Sequence, residues 1–360
     1  MRSFCVQRPG PVAVRLLVLM FLAGAAPLLS AAEAPQWSVQ YLIDNSRTIF
    51  GRAQKVSPRE NRGLALSPDG RSLYAGYVHS FNNSGEVRRI AVDIADYDRA
   101  TLAILPGVSG KAIATDDTGR VYLGGPGGIT VYHADLARRQ LSIPAGACEG
   151  VATAREGTRL ILYATDREAG KVRRWTLAEQ SDSVASAVPE GLSNSGEATI
   201  VGALDLRGIA VDSQGDVWVA DLKGNRVYKM SREGVVVGSV TVATPIDVAC
   251  EPGRTFVTQY MERTITVLGE RMDVLDTLRV PWAELELSPT GNSEYGALSG
   301  ITLVAGGFMV ANETGQTADQ KSTYGREDDF TDLIGGKVYR DSFGDDDEPI
   351  LRVTWPPRAP

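Results

Sequence analysis

Histidine is nearly missing from this 360-residue chain: only His79 and His133 occur. No pairing of Cys and His at zinc-ligand spacing exists, which argues against a zinc centre. Each imidazole is read as an ordinary surface or internally satisfied side chain. Cysteine is scarce too. Cys5 lies in a segment expected to be cleaved off, and Cys148 and Cys250 fall near opposite ends of strands in separate repeats. A bridge needs Cα atoms within about 7 Å, so both are read as buried free thiols despite an oxidising compartment. There is no G-x-S-x-G elbow to support serine-hydrolase chemistry. Gly107-Val108-Ser109-Gly110-Lys111 has its first glycine misplaced for a phosphate loop and leads into no helix, and Gly124-Gly125-Pro126-Gly127-Gly128 reads as a turn between strands.

Basic runs are absent as well, and the formal charge is −7. Such a chain repels nucleic acid and anionic membranes at long range, so neither is an expected partner. The one long apolar stretch, Leu16 to Leu29, follows Arg2, Arg8 and Arg15 and precedes the small residues Ser30-Ala31-Ala32. That order is a secretory signal peptide over residues 1–32, cut after Ala32, and it falls short of the roughly 20 residues that span a bilayer. Its removal takes the formal charge from −7 to −10. The expectation is a monomer, secreted or periplasmic, with no membrane span after cleavage, built as one domain over residues 33–360.

What the chain does have is a repeat. Six times a short apolar strand opening on a small residue, or once on an Asp, runs into a Gly-containing turn and a second apolar strand, with starts at Gly63, Ala112, Gly150, Gly208, Asp247 and Gly300. The starts are 49, 38, 58, 39 and 53 residues apart, and a unit of about 40 residues is one four-stranded propeller blade. The fourth copy is complete: Gly208 to Asp212, Asp216 to Asp221, Arg226 to Met230 and Val235 to Val242 are β-rich runs parted by turn residues. The expected fold is therefore all-β, a six-bladed propeller of four-stranded antiparallel blades. A terminal strand closes the ring, because an open one leaves strand edges unpaired. Trp37 to Ile43 is favoured as the outermost strand of the last blade, which would also contain Gly336 to Arg340; Ile350 to Trp355 is the alternative closing segment.

Two strings carry a family resemblance. Arg207-Gly208-Ile-Ala-Val-Asp212-Ser-Gln-Gly215-Asp-Val-Trp-Val-Ala-Asp221-Leu-Lys-Gly-Asn225-Arg226-Val-Tyr resembles an NHL repeat. Together with Gly63-Leu-Ala-Leu-Ser-Pro-Asp-Gly70-Arg-Ser-Leu-Tyr74 it is also similar to blade openings of the six-bladed SMP-30/gluconolactonase-like group. The likeness spans about Gly63 to Tyr339. It implies the fold more than a function, since such propellers include lactonases, lyases and binding modules.

Alternating strand direction assigns the loops to faces. The Gly turns share one face; the long segments 178–206, 281–299 and 313–335 share the other, as expected of a covered pocket over the channel. The residue before each inner strand starts on that face near the axis: Arg62, Lys111, Glu149, Arg207, Ile246 and Ser299. Three cations beside one carboxylate need neutralising in a low-dielectric channel. One reading is that Arg62, Lys111 and Arg207 bind a carboxylate or phosphate of a small anionic molecule, with Glu149 orienting one of them. The other is an ion-pair network between blades, with Glu284, Glu286, Asp328 or Asp329 supplying negative charge. Tyr295 and Tyr324, in the long loops, are candidates to stack on a ligand.

The resemblance also implies a divalent metal held by Glu, Asn and Asp in openings reading E-G-P, N-G-L and D-G-M. Here Glu149-Gly150-Val151 echoes the first, but Arg62 and Arg207 stand where the Asn and Asp would be. A guanidinium cannot ligate a cation, so no metal and no other cofactor is expected. Asp345-Asp346-Asp347-Glu348 with Asp341 lacks EF-hand spacing and reads as a solvated turn. Asp166 and Asp221, ending second strands, read as turn caps. The leading expectation is an exported binding protein for a small anion or for an envelope or extracellular protein. The alternative is a lactonase or ester hydrolase of the gluconolactonase-like type with an altered site, for which Ca²⁺ would be the cofactor.

Overall fold

The structure is a computed structural model, and it describes residues 38–43, 61–78, 85–92, 101–180, 183–260, 262, 264–279, 296–314 and 350–354. In chain order the strands are β1 (Ser38–Ile43), β2 (Asn61–Leu66), β3 (Ser72–Val78), β4 (Gly85–Ala91), β5 (Thr101–Pro106), β6 (Ala112–Thr115), β7 (Val121–Gly125), β8 (Gly128–Tyr132) and β9 (Arg139–Ile143). There follow β10 (Val151–Glu156), β11 (Arg159–Asp166), β12 (Lys171–Gln180), β13 (Ser183–Pro189), β14 (Glu197–Thr199), β15 (Leu206–Val211), β16 (Val217–Asp221), β17 (Arg226–Met230) and β18 (Val236–Thr241). The last are β19 (Pro245–Glu251), β20 (Arg254–Gln259), β21 (Thr264–Gly269), β22 (Val274–Arg279), β23 (Gly296–Val304), β24 (Gly307–Thr314) and β25 (Ile350–Thr354). The fold is all-β and propeller-like.

The expectation of six four-stranded blades is corrected. Among the described residues five sheets are four-stranded, β2–β5, β6–β9, β15–β18, β19–β22 and β23–β24–β25–β1, while the sheet of β10 to β13 carries β14 as a fifth strand. The reason is the length of β12. Its ten residues take β13 along Trp175–Gln180 and, on the same edge, β14 along Lys171–Arg173. Much of 178–206, taken from sequence as one of the long segments on the pocket face, is thus paired backbone.

Among the described residues no sheet closes on itself, which also corrects the expectation of a ring closed by a terminal strand. The last sheet instead takes a strand from each end of the chain: β25 pairs β24 and β1 pairs β25. Its third strand is Ile350–Thr354, not Gly336 to Arg340, a segment that lies outside the described residues. First and last sheets meet through side chains, Met309 and Ala311 packing with Leu64, Leu73 and Tyr77.

Each hydrophobic cluster bridges two consecutive sheets. Trp218 and Val219 show the logic on one strand: Trp218 packs toward Val248 and Val257, while Val219 packs the opposite way toward Tyr163 and Val172. Alternating side chains of a blade therefore serve two interfaces, and each buried large side chain contributes about 1.5–3 kcal/mol. Between β15 and β16, Asp212 accepts from the amides of Gln214 and Asp216 and from Trp218 Nε1 at 2.9 Å. Asp116 repeats this with Thr118, Arg120 and the Tyr122 hydroxyl. The turn glycines that follow, Gly119 at φ 87° and Gly215 at φ 85°, occupy the left-handed region that favours glycine.

Among the described residues no helix is long and apolar enough to cross a membrane. Cys148 and Cys250 are free thiols, and burial pushes Cys250 up to about 12.

Candidate functional site

The first strands of the sheets touch their neighbours in the cycle β2, β6, β10, β15, β19, β23 and back to β2. Two local devices bring them this close. The first is the missing side chain at the strand start. A Cβ on Gly63 would sit 2.6 Å from the Gly110 carbonyl oxygen, and one on Gly150 or Gly300 would collide with the carbonyl oxygen of Arg207 or Arg62. The second is a shift of register. In β2, β15, β19 and β23 the pairing slips across Arg62, Arg207, Ile246 and Ser299 respectively. A bulge turns the local side chains out of the regular alternation, and bulges recur where a side chain must be re-aimed.

The result is a central cavity of about 40 Å³ whose lining includes Arg62, Lys111, Glu149, Arg207, Ile246 and Ser299, with Asp247 beside them. All six strand-leading residues picked out in the sequence are therefore brought to one space. Tyr295 and Tyr324 lie outside the described residues, as do Glu284, Glu286, Asp328 and Asp329. The Ser299 hydroxyl donates to the Ala311 carbonyl at 3.4 Å, and the Ser299 carbonyl accepts from Thr258 Oγ1 at 2.7 Å.

The charges form a network. Glu149 Oε1 accepts from Lys111 Nζ at 3.2 Å and Arg167 Nη1 at 3.4 Å, and Oε2 accepts from Arg207 Nη1 at 3.0 Å. Asp205 accepts from Arg207 Nη2 at 3.1 Å and from Arg167 Nε at 2.7 Å, and Arg207 Nε lies 3.0 Å from it as an ion-pair contact without hydrogen-bond alignment. Three cations thus share two carboxylates. Asp205 is held rigidly: its amide and that of Leu204 donate to Asp221, at 2.8 and 3.0 Å. Asp221 also accepts from Gly224, and Asp166 from Ala169, so both carboxylates cap turns. Asp205 is fully buried, whereas the side chains of Lys111 and Arg167 remain 30% and 34% exposed and reachable from solvent.

Asp247 differs from the rest. It is half-buried by solvent exposure, and its carboxylate accepts the amides of Val248 at 2.9 Å and Ile301 at 3.0 Å. Those donors favour the charged form, but burial outweighs them and pushes its pKa up to about 7. The group therefore changes charge near neutrality at the wall of the cavity.

Sequence reasoning missed Arg167, Asp205 and Asp247 as site residues. Asp247 left a signal: it is the charged residue at a strand start where the other five copies have Gly or Ala. Asp205 lies two residues before Arg207, too close for a strand-start pattern to pick out. Arg167 follows a second strand, and its partner Asp205 is 38 residues away.

The Glu, Asn and Asp metal set implied by the resemblance does not fit these residues. Glu149 is the only one of the three positions that holds a carboxylate, and both its oxygens accept from cations that would repel a metal. Among the described residues no group of three His, Cys, Asp or Glu side chains converges as a metal site would require.

No protein-family model matches the chain, and no curated protein matches it. The resemblance of two strings to NHL and SMP-30 repeats is therefore not carried to membership of either family. Solved structures share the fold. One, a structural-genomics protein of unknown function from Bacteroides thetaiotaomicron, aligns with a TM-score of 0.55 at 15% identity, over 90% of this chain and 77% of that one. A virginiamycin B lyase from Staphylococcus aureus and a regucalcin, described as a calcium-binding protein, from Agrobacterium tumefaciens each align with a TM-score of 0.49. Identities are 12% and 10%, over 89% and 83% of this chain and 99% and 92% of theirs. At such identities the likeness is one of fold alone.

Proposed function

We propose that this is an exported binding protein that takes up the carboxylate of a small organic anion at its central cavity. Arg62, Lys111 and Arg207 supply the positive charge, and Glu149 holds Lys111 and Arg207 in place. The observation that carries this reading is the sharing of Glu149 and Asp205 among Lys111, Arg167 and Arg207, which among the described residues is three cations to two carboxylates beside a space of about 40 Å³. That volume holds a few waters or one carboxylate-sized group and nothing larger. An incoming carboxylate would complete the network with charge-assisted hydrogen bonds. Export follows from the leader read in residues 1–32.

Thermal-shift titration with acetate and other small carboxylates tests it. Saturable stabilisation is expected, amounting to about 2.7 kcal/mol at a concentration one hundred times Kd. Arg207→Gln abolishes it and Arg207→Lys retains part. Glu149→Gln lowers the starting Tm and tightens carboxylate binding, because a competing internal anion is gone. Stabilisation by Ca²⁺ that persists in Arg207→Gln, with no response to carboxylates, would overturn the reading.

A second reading, hydrolysis of a lactone or ester, draws on Asp247. A half-buried carboxyl with its pKa pushed up to about 7 at a cavity wall is suited to general-base activation of water. Turnover of ester substrates by the unmodified protein that disappears in Asp247→Asn, at unchanged carboxylate affinity, would favour it.

A further inference from the structure

The central cavity is too small for a whole metabolite, yet a second space adjoins it. A groove of about 370 Å³ opens between the connector 106–111 and the β7–β8 hairpin, lined among others by Val108, Ser109, Gly125, Pro126, Gly127 and Pro144. The two linings have no residue in common but lie side by side. Ala112 lines the cavity, its cross-strand partner Gly124 lines the groove, and Ser109 lies two residues before Lys111. Gly110, between Ser109 and Lys111, is fixed by its carbonyl accepting the Gly63 amide at 2.9 Å.

From this adjacency we infer the ligand class: an amphiphilic organic anion whose carboxylate enters the cationic cavity and whose apolar body lies in the groove. The inference rests on the carboxylate reading above and extends it. Small-molecule sites are typically ~300–1,000 Å³, so the groove has the room that the cavity lacks. Its surface is suited to an apolar body with a few polar atoms. Val108, Pro126 and Pro144 offer apolar contacts, the glycines leave the floor flat, and Ser109, Thr130 and Ser142 place hydroxyls around them. An inorganic anion would use the cavity and leave the groove empty, and a purely apolar molecule would gain nothing from Arg207 or Lys111. The arrangement as a whole favours a molecule with both characters.

The test compares acetate with a series of ω-phenylalkanoates by isothermal titration. The unmodified protein is expected to bind the best phenylalkanoate at least 10-fold more tightly than acetate. Gly127→Trp fills the groove without a clash at its point of attachment, since a Cβ there meets no atom within 4 Å. It should weaken the phenylalkanoate at least 10-fold and leave acetate unchanged. Ser142→Trp, at an exposed groove position, serves as the second variant should the first alter folding. Arg207→Gln should abolish both. If acetate binds and the phenyl series gains nothing, or if both tryptophan variants leave phenylalkanoate affinity intact, the groove assignment alone is wrong. If neither probe binds the unmodified protein, the carboxylate reading falls with it.

Discussion

Replacing Asp247 with Asn will flatten the pH dependence of stability between about pH 4 and pH 7. In the folded protein this carboxyl keeps its proton up to about 7, whereas the unfolded chain releases it near the ordinary value of 3.8. Between those values the folded state binds more protons, so stability falls as pH rises. The difference of roughly three pKa units corresponds to about 4 kcal/mol lost by pH 7–8. Groups that act oppositely lie at lower pH. Asp117 and Glu179 are held below their usual range, first by hydrogen bonds from Arg155, and their contribution disappears only under acid conditions. Chemical denaturation from pH 4.5 to 8 measures the slope. Asn keeps one acceptor for Val248 or Ile301 and loses the other, at a cost of about 1–3 kcal/mol independent of pH. A variant with the parent's slope would show that Asp247 is ionised across the range.

The second large effect concerns backbone contact. Gly76 of β3 faces Gly110 so closely that a Cβ on either one overlaps backbone of the other. Gly76→Ala is expected to destabilise by about 3 kcal/mol or more, because backbone cannot move aside as a side-chain end can. For a chain of this size that is a fall in Tm of about 5 °C. The same change should weaken carboxylate binding, since Gly110 fixes the connector that ends in Lys111. Gly127→Ala is the control: its Cβ meets nothing within 4 Å, and Tm should stay within about a degree. Equal Tm values for the two variants would mean that the connector is free to lift away from β3.

The same contacts explain what could be read in the sequence. Strand starts at Gly63, Gly150, Gly208 and Gly300 were legible because neighbouring backbone or Asp247 occupies the place of a Cβ there, a steric demand that survives as a residue type. Turns such as Asp212 to Gly215 were legible because one carboxylate satisfies several amides at fixed spacing. Residues one step before each start could then be placed around a common axis. The fifth strand of the β10–β14 sheet was not legible: β14 has three residues, and only the length of β12 makes room for it. Nor was the third strand of the last sheet, because Gly336 to Arg340 and Ile350 to Trp355 both carry β-forming residues and only long-range pairing shows that Ile350–Thr354 meets β24. Arg167 and Asp205 escaped notice because ion pairs between distant segments leave no periodicity.

The pairing of β1 with β25 also has a meaning in time. A ribosome adding about 5–20 residues per second needs roughly 15–60 s to pass from Ser38 to Ile350. Throughout that interval the earliest strand waits with its partner unmade, while the sheets coded between can assemble in turn. Completion of that sheet is thereby tied to synthesis of Ile350–Thr354: a chain released before that point lacks the partner of the earliest strand, and quality control would meet it as an open, protease-sensitive product.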